Sequence, residues 1–162
     1  KLGDAASLAG VEALAEALRI DVSEQVRRRA VISLGELGAS AAGENGQAAL
    51  SRALRWDADD VVRFRCGEAL AIYGTKVNAD AAASLLLTLA KDPIPSVRER
   101  SATALGSMGP SATEAHIAGL HKARDSDERD SVRSAAVAAQ DTMRGLCIEA
   151  ISPVCASHEF VR

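Results

Sequence analysis

Aromatic side chains are scarce: Trp56, Phe64, Tyr73 and Phe160 make up the 2% aromatic content of the 162 residues. A core without rings has to be built from Ala, Leu, Val and Ile, and alanine-rich packing favours helices that approach closely. No sign of charge dominates. The 19 Lys and Arg against 22 Asp and Glu leave a net charge of −3, too even for a chain whose main task is to grip phosphate backbones. Long apolar runs are missing as well. The longest weakly polar stretch, Ala81 to Ala90, falls far short of the roughly 20 residues that cross a bilayer, so no membrane-spanning segment is expected.

Cysteine is sparse too. Cys66, Cys147 and Cys155 cannot all pair within one chain and show no CxxC spacing. Reduced thiols in an intracellular, reducing compartment are expected, with a Cys147–Cys155 bridge as the competing arrangement in the tail. No basic-then-apolar signal peptide opens the chain, which begins at Lys1 rather than Met. It is therefore read as a processed product or a fragment, with the cytoplasm and an organelle interior such as a plastid both open. The remaining composition, 48% apolar and 25% charged, is that of a folded domain rather than a disordered one.

What the sequence does contain is a repeat. Four segments align without a gap around a Val-Arg pair: Val26-Arg27, Val62-Arg63, Val97-Arg98 and Val132-Arg133, spaced by 36, 35 and 35 residues. Five positions before each Val stands an aspartate: Asp21, Asp57, Asp92 and Asp127. Four positions after it comes a small residue (Ala30, Cys66, Ser101, Ala136), and eight after it Leu34, Leu70, Leu105 or, in the fourth copy, Gln140. Val, small and Leu at i, i+4 and i+8 form one stripe of an α-helix. Gly38, Gly74 and Gly109, each twelve after its Val, mark where such a helix of about three turns ends.

A second apolar-periodic stretch precedes each of these helices: Leu14 and Leu18, Leu50 and Leu54, Leu85 and Leu89, Ile117 and Leu120. Start signals agree with a helix–turn–helix module. Ser111-Ala-Thr-Glu114 fits a capping box, Pro95 suits a first turn, and Asn78 or Asp80 can cap the helix that follows. Neither helix of a module can bury its apolar face alone, so the modules must stack. Gly35 and Gly106, inside second helices, predict close approach between neighbouring helices. Gln140-Asp141, where other copies place Leu34-Gly35 and Leu105-Gly106, predicts a capping repeat whose far face is wet.

The pattern Asp-x4-Val-Arg-x2-Ala-x3-Leu-Gly-x2-Gly resembles HEAT repeats, in particular the short HEAT-like type of phycobilisome lyase subunits, over Leu8 to about Arg144. The resemblance implies an all-α fold, a right-handed α-solenoid (HEAT/armadillo-like) of about four helix–turn–helix repeats. The solenoid is expected over residues 1–146, with repeats at about 5–38, 46–74, 78–109 and 111–146, and a C-terminal tail over 147–162. The resemblance puts first helices on the convex side and second helices on the concave side. It also implies a structural ladder, in which Asp21, Asp57, Asp92 and Asp127 accept hydrogen bonds from Arg27, Arg63, Arg98 and Arg133 of their own or adjacent repeats.

A second basic column, Arg29, Arg65 and Arg100, lies two residues beyond the ladder and ends at Ala135. Residues two apart on a helix point about 200° from one another, so the columns occupy different environments. With Arg28 and Phe64 beside it, this column is a candidate binding face for an acidic segment of a partner protein. The competing reading is a solvated row paired with neighbours such as Glu68. Beyond Arg144 the periodicity fades; a helix through Ile148 and Ile151 should break before Pro153, and Phe160 marks the tail as a candidate docking segment.

Motifs of catalysis are not found. His116 and His121 are five apart rather than the four that let two imidazoles share a metal, and both are expected at the surface. His158-Glu159 is similar to the His-Glu pairs of the HEAT-like deoxyhypusine hydroxylases, where such pairs recur on the repeat helices and hold iron. The positions after the ladder arginines here are Arg28-Arg29, Phe64-Arg65, Glu99-Arg100 and Ser134-Ala135. No Gly-rich phosphate loop and no G-x-S-x-G elbow is present. The expectation is a non-catalytic scaffold or stabilising subunit with no cofactor and no metal, binding other proteins through its concave face and tail. The alternatives are a phycobilin lyase-like subunit or an assembly factor for a photosynthetic antenna or photosystem complex, and, more weakly, a nucleic-acid-binding solenoid.

Overall fold

The computed structural model describes residues 2–156, with side chains for 8–146. Regular structure among the described residues is entirely helical: α1 (Leu2–Ile20), α2 (Glu24–Trp56), α3 (Asp60–Tyr73), α4 (Ala79–Lys91), α5 (Pro95–Ser107), α6 (Glu114–Ser126) and α7 (Asp130–Ala156). α2 is two helices joined across a kink, where Gly38 (φ 73°) and Gly43 (φ 58°) leave helical geometry. Its 24–37 limb pairs with α1 and its 44–56 limb with α3; α4 pairs with α5 and α6 with α7. The result is an all-α solenoid of four helix pairs. The second helices stack in the order α2, α3, α5, α7.

The repeat glycines end their helices as their spacing predicts. Gly38, Gly74 and Gly109 all have positive φ (73°, 55° and 49°), and among the described residues no non-glycine residue does. Positive φ costs little only where there is no Cβ. Asn78 caps α4 by accepting the Ala81 N–H at 2.9 Å, and Pro95 opens α5.

One apolar core runs the length of the stack. Leu34, Leu70 and Leu105, at the same repeat position, are fully buried, as are Val62, Val97 and Val132. Gly106 lets α5 meet α7: a Cβ there would lie 2.7 Å from the Ala139 Cα and 2.9 Å from its carbonyl oxygen. At Gly35 the same approach is looser, with a Cβ 3.2 Å from that of Ala69. The Tyr73 hydroxyl donates to the Leu34 carbonyl at 2.6 Å, and burial pushes its phenol up to about 12.

Local expectations are corrected in four places. The start of α6 is capped by Thr113 and not Ser111, which belongs to the 3₁₀ turn Gly109–Ser111; proline at 110 favours that extra turn before the helix. His116, expected at the surface, is 8% exposed, because its Nδ1 accepts the Thr113 N–H at 3.0 Å and folds the ring back over the helix start. Gln140 is buried rather than wet, since its position faces α6, where Arg124 Nη1 reaches its Oε1 at 3.4 Å; Asp141 beside it is exposed. The helix expected to break before Pro153 runs to Ala156, and nothing in the structure explains why. Phe160, His158 and Glu159 lie outside the described residues.

Candidate functional site

The four turns between paired helices are built alike. The carboxylate of each turn aspartate accepts the backbone N–H two residues on: Ser23 for Asp21 (2.8 Å), Asp59 for Asp57 (2.9 Å), Ile94 for Asp92 (2.9 Å) and Arg129 for Asp127 (3.0 Å). Three of these carboxylates, those of Asp57, Asp92 and Asp127, also receive an arginine from the preceding repeat. Arg27 grips Asp57 through Nε and Nη2 (2.7 and 2.9 Å), Arg63 grips Asp92 (2.8 and 3.1 Å), and Arg98 grips Asp127 (2.9 and 2.9 Å). Each guanidinium also donates through Nη1 to the carbonyl of its own turn aspartate: Asp21 (2.9 Å), Asp57 (2.9 Å) and Asp92 (2.8 Å).

One planar fork thus ties two repeats, a geometry open to arginine and not to lysine. Arg133, in the last repeat, donates to its own Asp127 carbonyl at 2.7 Å and pairs with Asp130 of its own helix. Hydrogen bonding to Asp57, Asp92 and Asp127 raises the already high pKa of Arg27, Arg63 and Arg98 against the cost of burial.

Arg28 also belongs to a joint between repeats. It forms a bidentate pair with Asp59 (3.0 and 2.6 Å), and Asp59 at the same time caps α3 by accepting the Val62 N–H at 2.8 Å. The Arg28 hydrogen bond holds the Asp59 carboxyl below the usual aspartate range.

The second basic column converges on Phe64. The Arg100 guanidinium lies 4.8 Å from the ring centre and that of Arg65 6.0 Å, within reach of cation–π attraction. Glu68 sits between the two arginines, 2.6 Å from Arg65 and 3.6 Å from Arg100. Gly67 makes the cluster possible, since a Cβ there would stand 2.8 Å from the Arg100 Cγ. The Arg100 Nε is buried without a partner. Arg29 stands exposed in the same register. The structure therefore brings Phe64, Arg65 and Arg100 together around one carboxylate.

Trp56 was missed by reading the sequence. At the end of the second limb of α2, it is 72% exposed, with Arg55 stacked 5.1 Å from its ring. It lines two open grooves, of about 770 and 430 Å³, between neighbouring first helices. The signal was present: Trp56 immediately precedes Asp57, at the position taken by Ile20, Lys91 and Ser126 in the other copies.

The comparisons with known proteins agree with this architecture. A family model described as HEAT repeats matches residues 48–140. The solved structure of human deoxyhypusine hydroxylase in complex with glycerol superposes with a TM-score of 0.70 at 28% identity, covering 83% of this chain and 43% of that one. The chain thus spans less than half the length of that enzyme. No curated protein sequence matches it.

The expectation that the chain is not an enzyme is overturned by this likeness, because a protein 28% identical to it, with the same fold, is a hydroxylase. No helix among the described residues is long and apolar enough to cross a membrane. With its four stacked helix pairs and a family match over more than half its length, the chain belongs to the HEAT-repeat family.

Proposed function

We propose that this HEAT array is a protein-binding scaffold, or a stabilising subunit of a larger complex, that holds an acidic segment of a partner against the face made by its second helices. The observation that carries this reading is the Arg100–Phe64–Arg65 cluster. A ring flanked by two guanidinium groups offers apolar contact and charge in one place, as residues that dominate interfaces do. Glu68 occupies the centre until a partner carboxylate competes for the arginines. Nucleic acid fits the face less well, because Arg28, Arg65 and Arg100 are each held by a protein carboxylate.

The test is charge reversal of Arg29, Arg65 and Arg100 together, with recovery of the partner in the intact assembly as readout. Loss of the partner with an unchanged melting temperature supports the reading; retained binding discards it.

The likeness to deoxyhypusine hydroxylase supports a second reading, in which the chain contributes repeats to an enzyme of that kind. Among the described residues no group of three or more His, Cys, Asp or Glu side chains is placed to hold a metal, and His158-Glu159 lies outside them. Hydroxylation of deoxyhypusine by an assembly containing the chain would support this reading, and an assembly equally active without the chain would remove it.

A further inference from the structure

Arg29, Arg65 and Arg100 each stand three residues after a repeat valine, Val26, Val62 or Val97. Their helices pack side by side in the order α2, α3, α5. The arginines therefore form a row across the helices, one cation per repeat, and the row stops at Ala135 of α7. Arg65 and Arg100 are 45% and 33% exposed, and Arg29 is exposed. The face that carries the row runs along the stack. A repeat stacked on either end would lengthen this face without covering it.

The step of the row is set by helix packing. A Cβ on Gly35 would lie 3.2 Å from that of Ala69, and one on Gly67 2.8 Å from the Arg100 Cγ, so both joints bring their helices close. Packed helices lie about 8–10 Å apart, and the arginine stems repeat at that interval. A ligand that answers them has to present an anion at the same step.

Backbone geometry decides which segment can. In a polyproline II helix, with three residues per turn and about 3.1 Å per residue, side chains three apart return to one side after about 9 Å. A β-strand returns every two residues, after about 6.6 Å, which is too short for one repeat. A strand also needs backbone partners, and α-helices spend theirs internally; polyproline II leaves its backbone to water.

A docked α-helix needs a continuous apolar stripe. The positions three residues beyond the arginines, Ile32, Glu68, Thr103 and Ala138 in the four repeats, do not supply one. What apolar contact the face offers is local: the Phe64 ring under Arg100, and Ile72, four residues beyond Glu68 and 69% exposed. Both suit proline rings set between acids, since proline-rich segments dock on aromatic surfaces.

We propose that the acidic segment taken up by this face is a polyproline II stretch of a partner protein, with an Asp or Glu at every third residue, one for each of Arg29, Arg65 and Arg100. This rests on the binding role proposed above and gives its partner a chemistry.

The probes are three nine-residue peptides, each of three glutamates in a proline background, with the glutamates two, three or four residues apart. They are titrated at low salt into the 162-residue chain. The peptide with glutamates three apart should bind about fivefold or more tightly than either of the others, because each ion pair lost to misregister is worth about two- to fivefold. Removing either terminal glutamate from it should weaken binding by about the same factor. With Arg29→Ser, an exposed substitution that should leave the melting temperature unchanged, removal at one end should cost nothing and removal at the other should cost as before.

Equal binding at all three spacings overturns the proposal and leaves an acid-binding face. A terminal glutamate whose removal costs as much in Arg29→Ser as in the wild type, at both ends, places the peptide elsewhere and overturns it too. Tighter binding of an alanine-based helical peptide with glutamates seven apart, or of oligothymidylate, overturns it in favour of a helix or a nucleic acid. If none of the three peptides binds, the acidic-partner role itself falls and the proposal with it.

Discussion

Arg63 and Asp92 come from different repeats and meet through two parallel hydrogen bonds of 2.8 and 3.1 Å, while the same guanidinium donates to the Asp57 carbonyl at 2.9 Å. Both side chains are buried. Replacing Arg63 by Leu removes these three bonds and a longer one to the Ala58 carbonyl, and leaves the Asp92 carboxylate desolvated, a loss of about 3–5 kcal/mol. Arg133→Leu, at the exposed end of the ladder, should cost about 1 kcal/mol or less. Urea unfolding of the two variants checks the contrast; equal losses would show that the ladder does not work through burial.

Gly106 and Gly10 make a second contrast. A Cβ at 106 meets the Ala139 backbone at under 3 Å, whereas nothing lies within 4 Å of one at 10. Gly106→Ala should therefore destabilise by about 1–3 kcal/mol, and Gly10→Ala should stabilise by up to about 1 kcal/mol through helix propensity. Thermal melts of both variants would read this directly.

Two kinds of group give the stability a pH dependence. Burial makes the His116 imidazole harder to protonate than in an unfolded chain. Below about pH 6.5 the unfolded state then binds more protons, so stability falls as pH drops through that range. His116→Gln should flatten the slope of unfolding free energy between pH 7 and pH 5.

The aspartates act lower. The Arg28 hydrogen bond depresses Asp59. At Asp127 burial pushes upward, but Arg98 and the Arg129 N–H outweigh it and the net shift is downward. Folded-state values below the unfolded one mean stability that is complete above about pH 4 and lost as pH falls through the folded values. Asp127→Asn should lower stability at pH 7 and reduce its loss on going to pH 2.

Glu68 holds Arg65 and Arg100. Glu68→Gln frees both guanidinium groups, so affinity for an acidic partner should rise severalfold and its salt dependence steepen. A partner bound no better by this variant than by the wild type, in titrations at two salt concentrations, would mean that these arginines do not make the contact.

The helix stops at Gly38, Gly74 and Gly109 and the inward stripe of Val62, Cys66 and Leu70 were readable in the sequence because they obey local rules: one backbone region open to glycine, one face every 3.6 residues. The Asp–Arg repetition was readable as a pattern, yet its direction was not. Only packing decides that Arg63 reaches Asp92 of the following repeat with its side-chain fork and Asp57 of its own with one more N–H. His116 and Gln140 were misjudged for the same reason, since polar side chains become buried when a neighbouring backbone or helix supplies their partners.

The residues by themselves determined that this chain is a stack of helix pairs, because a period near 35 residues with amphipathic faces has no other way to hide its leucines. The tertiary structure alone decided which charges meet across repeats and how Phe64 gathers two arginines. Those features depend on distances between residues about 30 positions apart, and spacing along a chain does not encode them until the helices pack.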